Sequence, residues 1–438
     1  MVMIITSGPS LFTLGHVFEF RSLHRLCSVE VKVLYTFLLK SIAGMYPSHF
    51  WRRGVLQTCR FFHSSQTCGM KTMQAWQAFE HGSPEQLQLN TAAPIPVLKS
   101  NIDVLVKVHA ASVNPLDVQM LEGYGSSAFN FVRQLNSCSF SAQEFPLQLG
   151  RDFSGSVVHA GKSAQHYKIG DEIWGALSPW QTGTHAEYIL APICYISKKP
   201  KSLNHVEASS FPYVALTAWS AIKIFGGLCE KSTYGKRVLV IGATGGVGNF
   251  AVQLLKTWGA DVTAICATDA MESVQNLGAD AVLDYQSPEF KQNLRELNKF
   301  DVILDNVGGE YPDLTINLLK KWQNSRYITT VSPLLKNADD RGIVIGTLTS
   351  AIQASFDTAM SLKDGRTFRW GYFVPNGCAL KSIAKLVDNK QINPVIEKIY
   401  KFEEVPEAFE KISRGHARGK TVIDFTTNGE NKQQQQNV

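Results

Sequence analysis

Residues 238–256 read VLVIGATGGVGNFAVQLLK, and this stretch decides the fold. Val238 to Ile241 predict a buried strand, Gly242, Gly245, Gly246 and Gly248 a tight turn, and Phe250, Ala251, Leu254 and Leu255 recur at helical spacing. Within it ATGGVG (243–248) has the shape GxGxxG, with Ala243 in the first place. Gly245 lets a backbone approach a pyrophosphate, Gly248 lets the helix pack closely on its strand, and the free N–H groups at the helix start supply an anion site. Ala243, Thr244, Gly245, Gly246, Val247 and Gly248 are therefore candidate cofactor-binding residues. A glycine triplet alone also reads as a plain turn, so the neighbouring pattern has to decide.

Outward from this turn, strand-like DVTAIC, AVLDY, FDVILDNVG and RYITTV alternate with helix-like ESVQNLGAD, EFKQNLREL and LTINLLKKW. Repeated βα units predict a parallel, doubly wound sheet with its ligand at the carboxyl ends of the strands. Before residue 205 the rhythm differs: VLVKV (104–108), Gly155 to Ala160, the turn at Gly170-Asp171 entering Ile173-Trp174, and Ala186 to Leu190 read as antiparallel strands. After Gly371 the alternation breaks again into one helix (Lys381 to Val387), Pro394, and the strands VIEKIYKF and KTVIDF.

The next strand bears on which dinucleotide binds. NAD-binding sheets place an Asp or Glu about 20 residues after the glycines, on the ribose 2′-hydroxyl. Here that neighbourhood is Ile265-Cys266-Ala267-Thr268, and Asp269 comes late. A carboxylate at the strand end would repel a 2′-phosphate, so its absence favours NADPH. Tyr285, ending the following strand, is a candidate for the adenosine end or an ordinary packing residue.

These motifs resemble the zinc-independent quinone oxidoreductases of the medium-chain dehydrogenase/reductase superfamily. The resemblance rests on GKRVLVIGATGGVGNFAVQLLK, HAASVNPLDVQ (109–119), EFPLQLGRDFSG (144–155), PYVALTAWSAI (212–222), LDNVGG (304–309) and HARGKTVI (416–423). It implies a GroES-like catalytic domain, with a β-barrel-type fold, interrupted by a Rossmann domain. The expected boundaries are 70–204 and 373–428 for the two parts of the former and 205–372 for the latter. It further implies that Thr217, Ala267, Asn306, Val331, Tyr372, Phe373, His416, Ala417 and Arg418 join the glycine turn at NADPH, and that Asn114 and Tyr124 lie near the nicotinamide. It implies a homodimer and a reticulon-family protein partner as well. By residue type alone, Asn114 reads equally as an Asx turn before Pro115, and Tyr124 as a packed loop residue.

The zinc-dependent relatives place a Cys three residues before an Asp, and a His-Glu pair after a glycine. This chain has Asn114 with Asp117, and Gly150-Arg151-Asp152, so no zinc site is expected from these positions. A Lewis-acid metal would supply several kcal/mol to a carbonyl gaining charge. Without it, the substrate should accept hydride readily: a quinone or an α,β-unsaturated carbonyl, in which the added charge delocalises. Rival readings are an enoyl-thioester reductase and an NADPH-sensing scaffold with little turnover.

The ends of the chain carry a different signal. Residues 1–69 hold seven basic and two acidic residues, which accounts for five of the six net positive charges. The near-neutral remainder argues against nucleic-acid binding. Between Val31 and Phe79 there is no acid, while Arg52, Arg53, Arg60, Ser64 and Ser65 interleave with aromatics, the composition of a mitochondrial transit peptide. The matrix is the expected address, with outer-membrane association as the alternative. No run approaches the roughly 20 apolar residues of a transmembrane helix. Eight scattered cysteines without a CxxC pair suggest neither a disulfide framework nor a zinc knuckle. The tail 429–438 is polar and of low complexity, and reads as disordered.

Overall fold

The computed structural model describes residues 71–137 and 143–426, so the expected targeting segment and C-terminal tail lie outside the described residues. Strands β1 (Thr72–Ala78) and β2 (Leu87–Pro94) form an antiparallel ribbon. A larger sheet is built from β3 (Asp103–Val113), β4 (Asp152–Ala160), β5 (Glu172–Ala176), β6 (Tyr188–Pro192) and β7 (Ile196–Lys198). Its inward residues, among them Val104, Val106, Phe153, Ile173 and Ile189, alternate along these strands and pack together.

The six-stranded sheet comprises β8 (Arg237–Ile241), β9 (Asp261–Cys266), β10 (Ala281–Asp284), β11 (Val302–Asp305), β12 (Ser325–Thr329) and β13 (Arg366–Trp370). All its pairings are parallel, in the order β10-β9-β8-β11-β12-β13. Val238 to Ile241 are buried because helices cover both faces of such a sheet. This is the Rossmann arrangement, with the strand order reversing at β8 and β11.

The chain then returns. β14 (Ile396–Lys401) pairs in parallel with β15 (Lys420–Asp424), and β15 lies antiparallel to Ala110–Val113 of β3. The first sheet is thereby completed by the last strand, which is the interrupted architecture expected from the resemblance.

Several local expectations change: after Gly371, where one helix was expected, there are two, Gly377–Asp388 and Val405–Ser413. The helix expected over LTINLLKKW is only a short helix, Tyr311–Thr315, and a 3-10 turn, Ile316–Leu318. Leu318 and Leu319 are consecutive and both buried beside Phe300, which a turn followed by a bridge to Phe300 achieves. Strand β13 has no counterpart in the sequence reading. Nor has the helix Ile343–Leu362, which buries Gly346, Ser350 and Ser361 while exposing Val344, Ile345, Leu348, Ile352 and Phe356. Its amphipathic pattern is inverted, with small residues facing the protein.

Candidate functional site

The glycine turn follows β8 directly and opens the helix Gly246–Thr257. Gly242 takes φ +74, a left-handed conformation that turns the chain out of the strand. At Gly248 an added Cβ would stand 2.2 Å from the Gly242 carbonyl oxygen, so helix and turn are in direct contact there. At Gly245, the N-cap, an added Cβ would meet only that same oxygen, at 3.7 Å, leaving its outer side open. Gly246 differs from both: its Cβ would meet Val214 at 2.8 Å and Lys420 at 3.1 Å. It is one of the points where the Rossmann helix touches the other half of the molecule, Gln253 bonding Asn393 being another. The open cradle at Gly245 fits a dinucleotide pyrophosphate.

Ala267, Tyr285, Asn306 and Val331 each follow the carboxyl end of β9, β10, β11 or β12, along the same sheet edge as the glycine turn. Asn306 Nδ2 donates to the Ile241 carbonyl oxygen at 3.0 Å, tying the β11 end to the β8 end. Val331 and Tyr285 are exposed, whereas Ala267 is buried. Beside the end of β9, the Asp284 carboxylate of β10 accepts from Thr268 Oγ1 at 2.5 Å. That carboxylate escapes a reading that counts residues along one strand.

A buried polar junction lies beneath Gly246. Asp152, fully buried, accepts from Ser112 Oγ at 2.6 Å, from Asn114 Nδ2 at 2.8 Å and from the Tyr213 backbone N–H. Lys420 Nζ donates to Asn114 Oδ1 at 2.6 Å and stands 3.4 Å from Asp152 Oδ2. Asn114 also caps the helix Pro115–Leu121, its backbone N–H donating to Asp117 at 2.9 Å. Asn114 thus sits at a helix start, and its side-chain amide is engaged at both ends. Asp152, Lys420 and Tyr213 were not among the residues singled out by sequence. Lys420 closes the motif HARGK, but nothing in its spacing tells that it turns inward.

Tyr213 stacks on Phe373 with ring centroids 4.4 Å apart and planes 18° apart. Burial, then the Asp117 charge, raises its hydroxyl above the ordinary tyrosine value. Tyr124, close enough to Tyr213 to influence it, is likewise raised, by burial and by Asp339. Such phenols stay protonated at neutral pH. The Thr217 hydroxyl donates to the Tyr213 carbonyl at 2.7 Å, and Tyr372 accepts from Ser220 Oγ through its carbonyl.

His416 and Ala417 lead to Arg418, which crosses from the β14–β15 connection to the loop after β9. Its Nη2 lies 2.8 and 2.9 Å from the two carboxylate oxygens of Asp269. His416 is exposed, at φ +54, and forms the bend before this crossing.

The positions at which relatives hold zinc do not fit a metal here. The Asn114 amide is spent on Lys420 and Asp152, and Arg151, fully buried, puts a guanidinium 3.3 Å from Asp117. A cation between these groups would face an ammonium and a guanidinium. Among the described residues no group of three or more His, Cys, Asp or Glu could hold a metal ion.

Comparison with known proteins adds the following. The profile described as "Alcohol dehydrogenase GroES-like domain" matches residues 100–201, and that described as "Zinc-binding dehydrogenase" matches 277–423. "NAD(P)H oxidoreductase RTN4IP1, mitochondrial" of Mus musculus is 46% identical over 376 residues, covering 86% of this chain and 95% of that protein. "2-methylene-furan-3-one reductase" of Solanum lycopersicum is 30% identical over 362 residues, 80% of this chain and 79% of that one. The quinone oxidoreductase structure from Coxiella burnetii aligns at TM-score 0.66 and 28% identity, covering 81% of this chain and all of that chain.

Proposed function

The chain belongs to the medium-chain dehydrogenase/reductase superfamily, among the mitochondrial NAD(P)H oxidoreductases, and from that premise we propose that it reduces a quinone or another conjugated carbonyl with NADPH, without zinc. The observation that carries this reading is the replacement of the metal position by the Asn114–Lys420–Asp152 and Arg151–Asp117 networks. With no Lewis acid in reach, the acceptor has to spread the incoming charge over its own conjugated system. A relative named for a methylene-furanone substrate, itself a conjugated enone, supports the same class.

The nicotinamide, when bound, supplies the hydride. The helix N-terminus at Gly245 and Gly246 holds the pyrophosphate, and Ala243, Thr244, Val247 and Gly248 shape the turn. Ala267, Tyr285 and Arg418 face the adenosine ribose, with His416 and Ala417 carrying Arg418 to it. Asn306, Val331, Thr217, Tyr372 and Phe373 line the way to the nicotinamide. Tyr213 and Tyr124, held protonated, orient the acceptor oxygen by hydrogen bonds, and Asn114 fixes the floor through Lys420. Position and hydrogen bonding supply the catalysis.

Mitochondrial location and this acceptor class together lead to the quinones of the ubiquinone pathway as the substrates to test first. A homodimer and a reticulon-family partner complete the reading. Purified enzyme should oxidise NADPH with short-chain quinones or enones. Cells lacking the protein should lose ubiquinone or accumulate a precursor, and a Gly245→Ala gene should not restore it. Turnover of enoyl thioesters with none of quinones would replace this assignment.

A further inference from the structure

The helix Ile343–Leu362 turns its apolar side to solvent. Val344, Ile345, Leu348, Ile352, Phe356 and Met360 are exposed to between 48% and 63%. At about 100° per residue, Val344 and Met360 stand about 160° apart around the axis, and the other four fall between them. Ser355 and the half-buried Thr349 are the polar residues of that arc, and no charged side chain lies in it. Contiguous exposed apolar surface on this scale marks a binding face. The helix is held firmly from behind: a Cβ at Gly346 would stand 2.1 Å from the Asn337 carbonyl oxygen, and Asn337 Nδ2 donates to Ser350 Oγ at 2.9 Å. Asn337 belongs to the helix Leu334–Arg341, whose Asp339 accepts from the Gly125 and Ser127 N–H groups at 2.6 and 3.1 Å, next to Tyr124 in the chain.

The width of this face and the groups at its end bear on what covers it. A partner helix, or the same helix of a second copy, meets a narrow seam of side chains repeating every 3.5 residues or so. An arc approaching half the circumference suits a fluid apolar medium instead. No helix among the described residues is long and apolar enough to cross a bilayer, so this one would lie in the plane of the interface. At its C-terminal end Lys363 follows directly, and Lys321 and Arg366 stand 3.0 and 3.1 Å from the two oxygens of Asp364, so cations exceed anions there. Trp322, 74% exposed, lays its ring against Gly365 in the same corner. Lysine and tryptophan settle among lipid headgroups, and a cationic rim complements an anionic surface. The opposite end, with Arg341 beside Asp340, adds no such excess. We propose that this helix docks on an anionic lipid bilayer, its six apolar side chains entering the acyl boundary while Trp322, Lys321 and Lys363 lie among the headgroups. On the quinone reading the bilayer also supplies the acceptor, close to the segment that carries Tyr124; that consequence rests on the function proposed above, whereas the docking does not.

The test is flotation of the full-length protein with vesicles of phosphatidylcholine containing phosphatidylglycerol, for the wild type, the double variant Ile352→Gln/Phe356→Gln, and Lys363→Gln. All three residues are exposed, so the fold should be undisturbed, and thermal unfolding checks this. The basic segment 1–69 is present in every form, so its own attraction to anionic lipid cancels in the comparison. The double variant should bind at least about tenfold more weakly. Lys363→Gln should bind these vesicles about fivefold more weakly and vesicles of phosphatidylcholine alone as the wild type does. Equal binding by the wild type and the double variant, including none by either, overturns the proposal. So does a change of oligomeric state of the double variant in light scattering, which would make this face a contact between copies. Lys363→Gln without effect overturns the headgroup assignment. Turnover gives a separate reading: the double variant should match the wild type on a soluble short-chain quinone and fall about tenfold behind it on a long-tailed quinone dissolved in the vesicles. Failure of the wild type on both quinones would refute the quinone reading, and flotation would then decide the docking surface by itself.

Discussion

Lys420 Nζ lies 2.6 Å from Asn114 Oδ1, joining the last strand of the chain to the first turn of the helix Pro115–Leu121. The ammonium also stands 3.4 Å from Asp152, whose carboxylate is fully buried. Lys420→Met should leave that carboxylate without its facing ammonium and cost about 3 kcal/mol of stability. Urea unfolding measures the cost, and Lys420→Arg should recover only part of it, because a planar fork replaces a compact ammonium. A loss below 1 kcal/mol would mean that the Ser112, Asn114 and Tyr213 donors already satisfy Asp152.

The glycines of the turn should separate into two classes. Gly245→Ala places its methyl 3.7 Å from the nearest atom and should fold normally, yet lower NADPH affinity at least about tenfold by filling the anion approach. Gly248→Ala drives a methyl to 2.2 Å from a carbonyl oxygen and should cost about 2 kcal/mol or more by pushing the helix off its strand. Paired calorimetry and cofactor titration distinguish them. Equal effects on stability would contradict the cradle geometry.

Chelation should leave reductase activity intact, because Asn114 and Arg151 occupy the places of the metal ligands. Elemental analysis of the purified protein should find no stoichiometric zinc. About one zinc per chain, lost together with activity, would refute the assignment.

Acid should weaken the first sheet through His109. Its Nε2 lies 3.0 Å from Ser156 Oγ and its ring 4.5 Å from His205, whose own imidazole contacts Ser154 and Glu172. Burial first, then the charges of His205 and Lys107, lowers His109 to about 4, against smaller opposing effects of Glu172 and Asp424. An unfolded histidine takes its proton near 6.5. Between pH 6.5 and 4 the unfolded chain therefore binds more protons than the native one, and stability falls as pH falls through that window. The loss from this site levels off below pH 4. His109→Gln should flatten part of that slope in urea unfolding compared at pH 7 and pH 4.5.

What could be read from sequence follows from range. The parallel sheet was legible because Val238 to Ile241 and Val302 to Leu304 are continuous apolar runs that only a doubly covered sheet explains. The glycine turn was legible because its spacing is local. β13 was missed because its RTFRW sequence carries two arginines, one of them buried and paired with Asp364. The helix Ile343–Leu362 was missed because its small residues face inward and Ile352 and Phe356 face out, the reverse of what periodicity assumes. Lys420, Asp152 and the Asp269–Arg418 pair meet only through tertiary contact, and no spacing along the chain encodes a distance across it.

The position of β15 also governs the order in which the molecule can be assembled. Lys420 and Val113, which it contacts, are separated by 307 residues, and until those residues exist Ala110–Val113 of β3 lacks its antiparallel neighbour. The cofactor sheet is contiguous from Arg237 to Trp370, so it can close while the sheet begun earlier still waits. A chain emerging from a ribosome or threading through a translocase thus holds an open β edge from the completion of β3 until β15 arrives, 307 residues later. Such an edge invites pairing with the wrong strand. Chaperone demand in this protein should track the arrival of its last twenty residues rather than the folding of its larger domain.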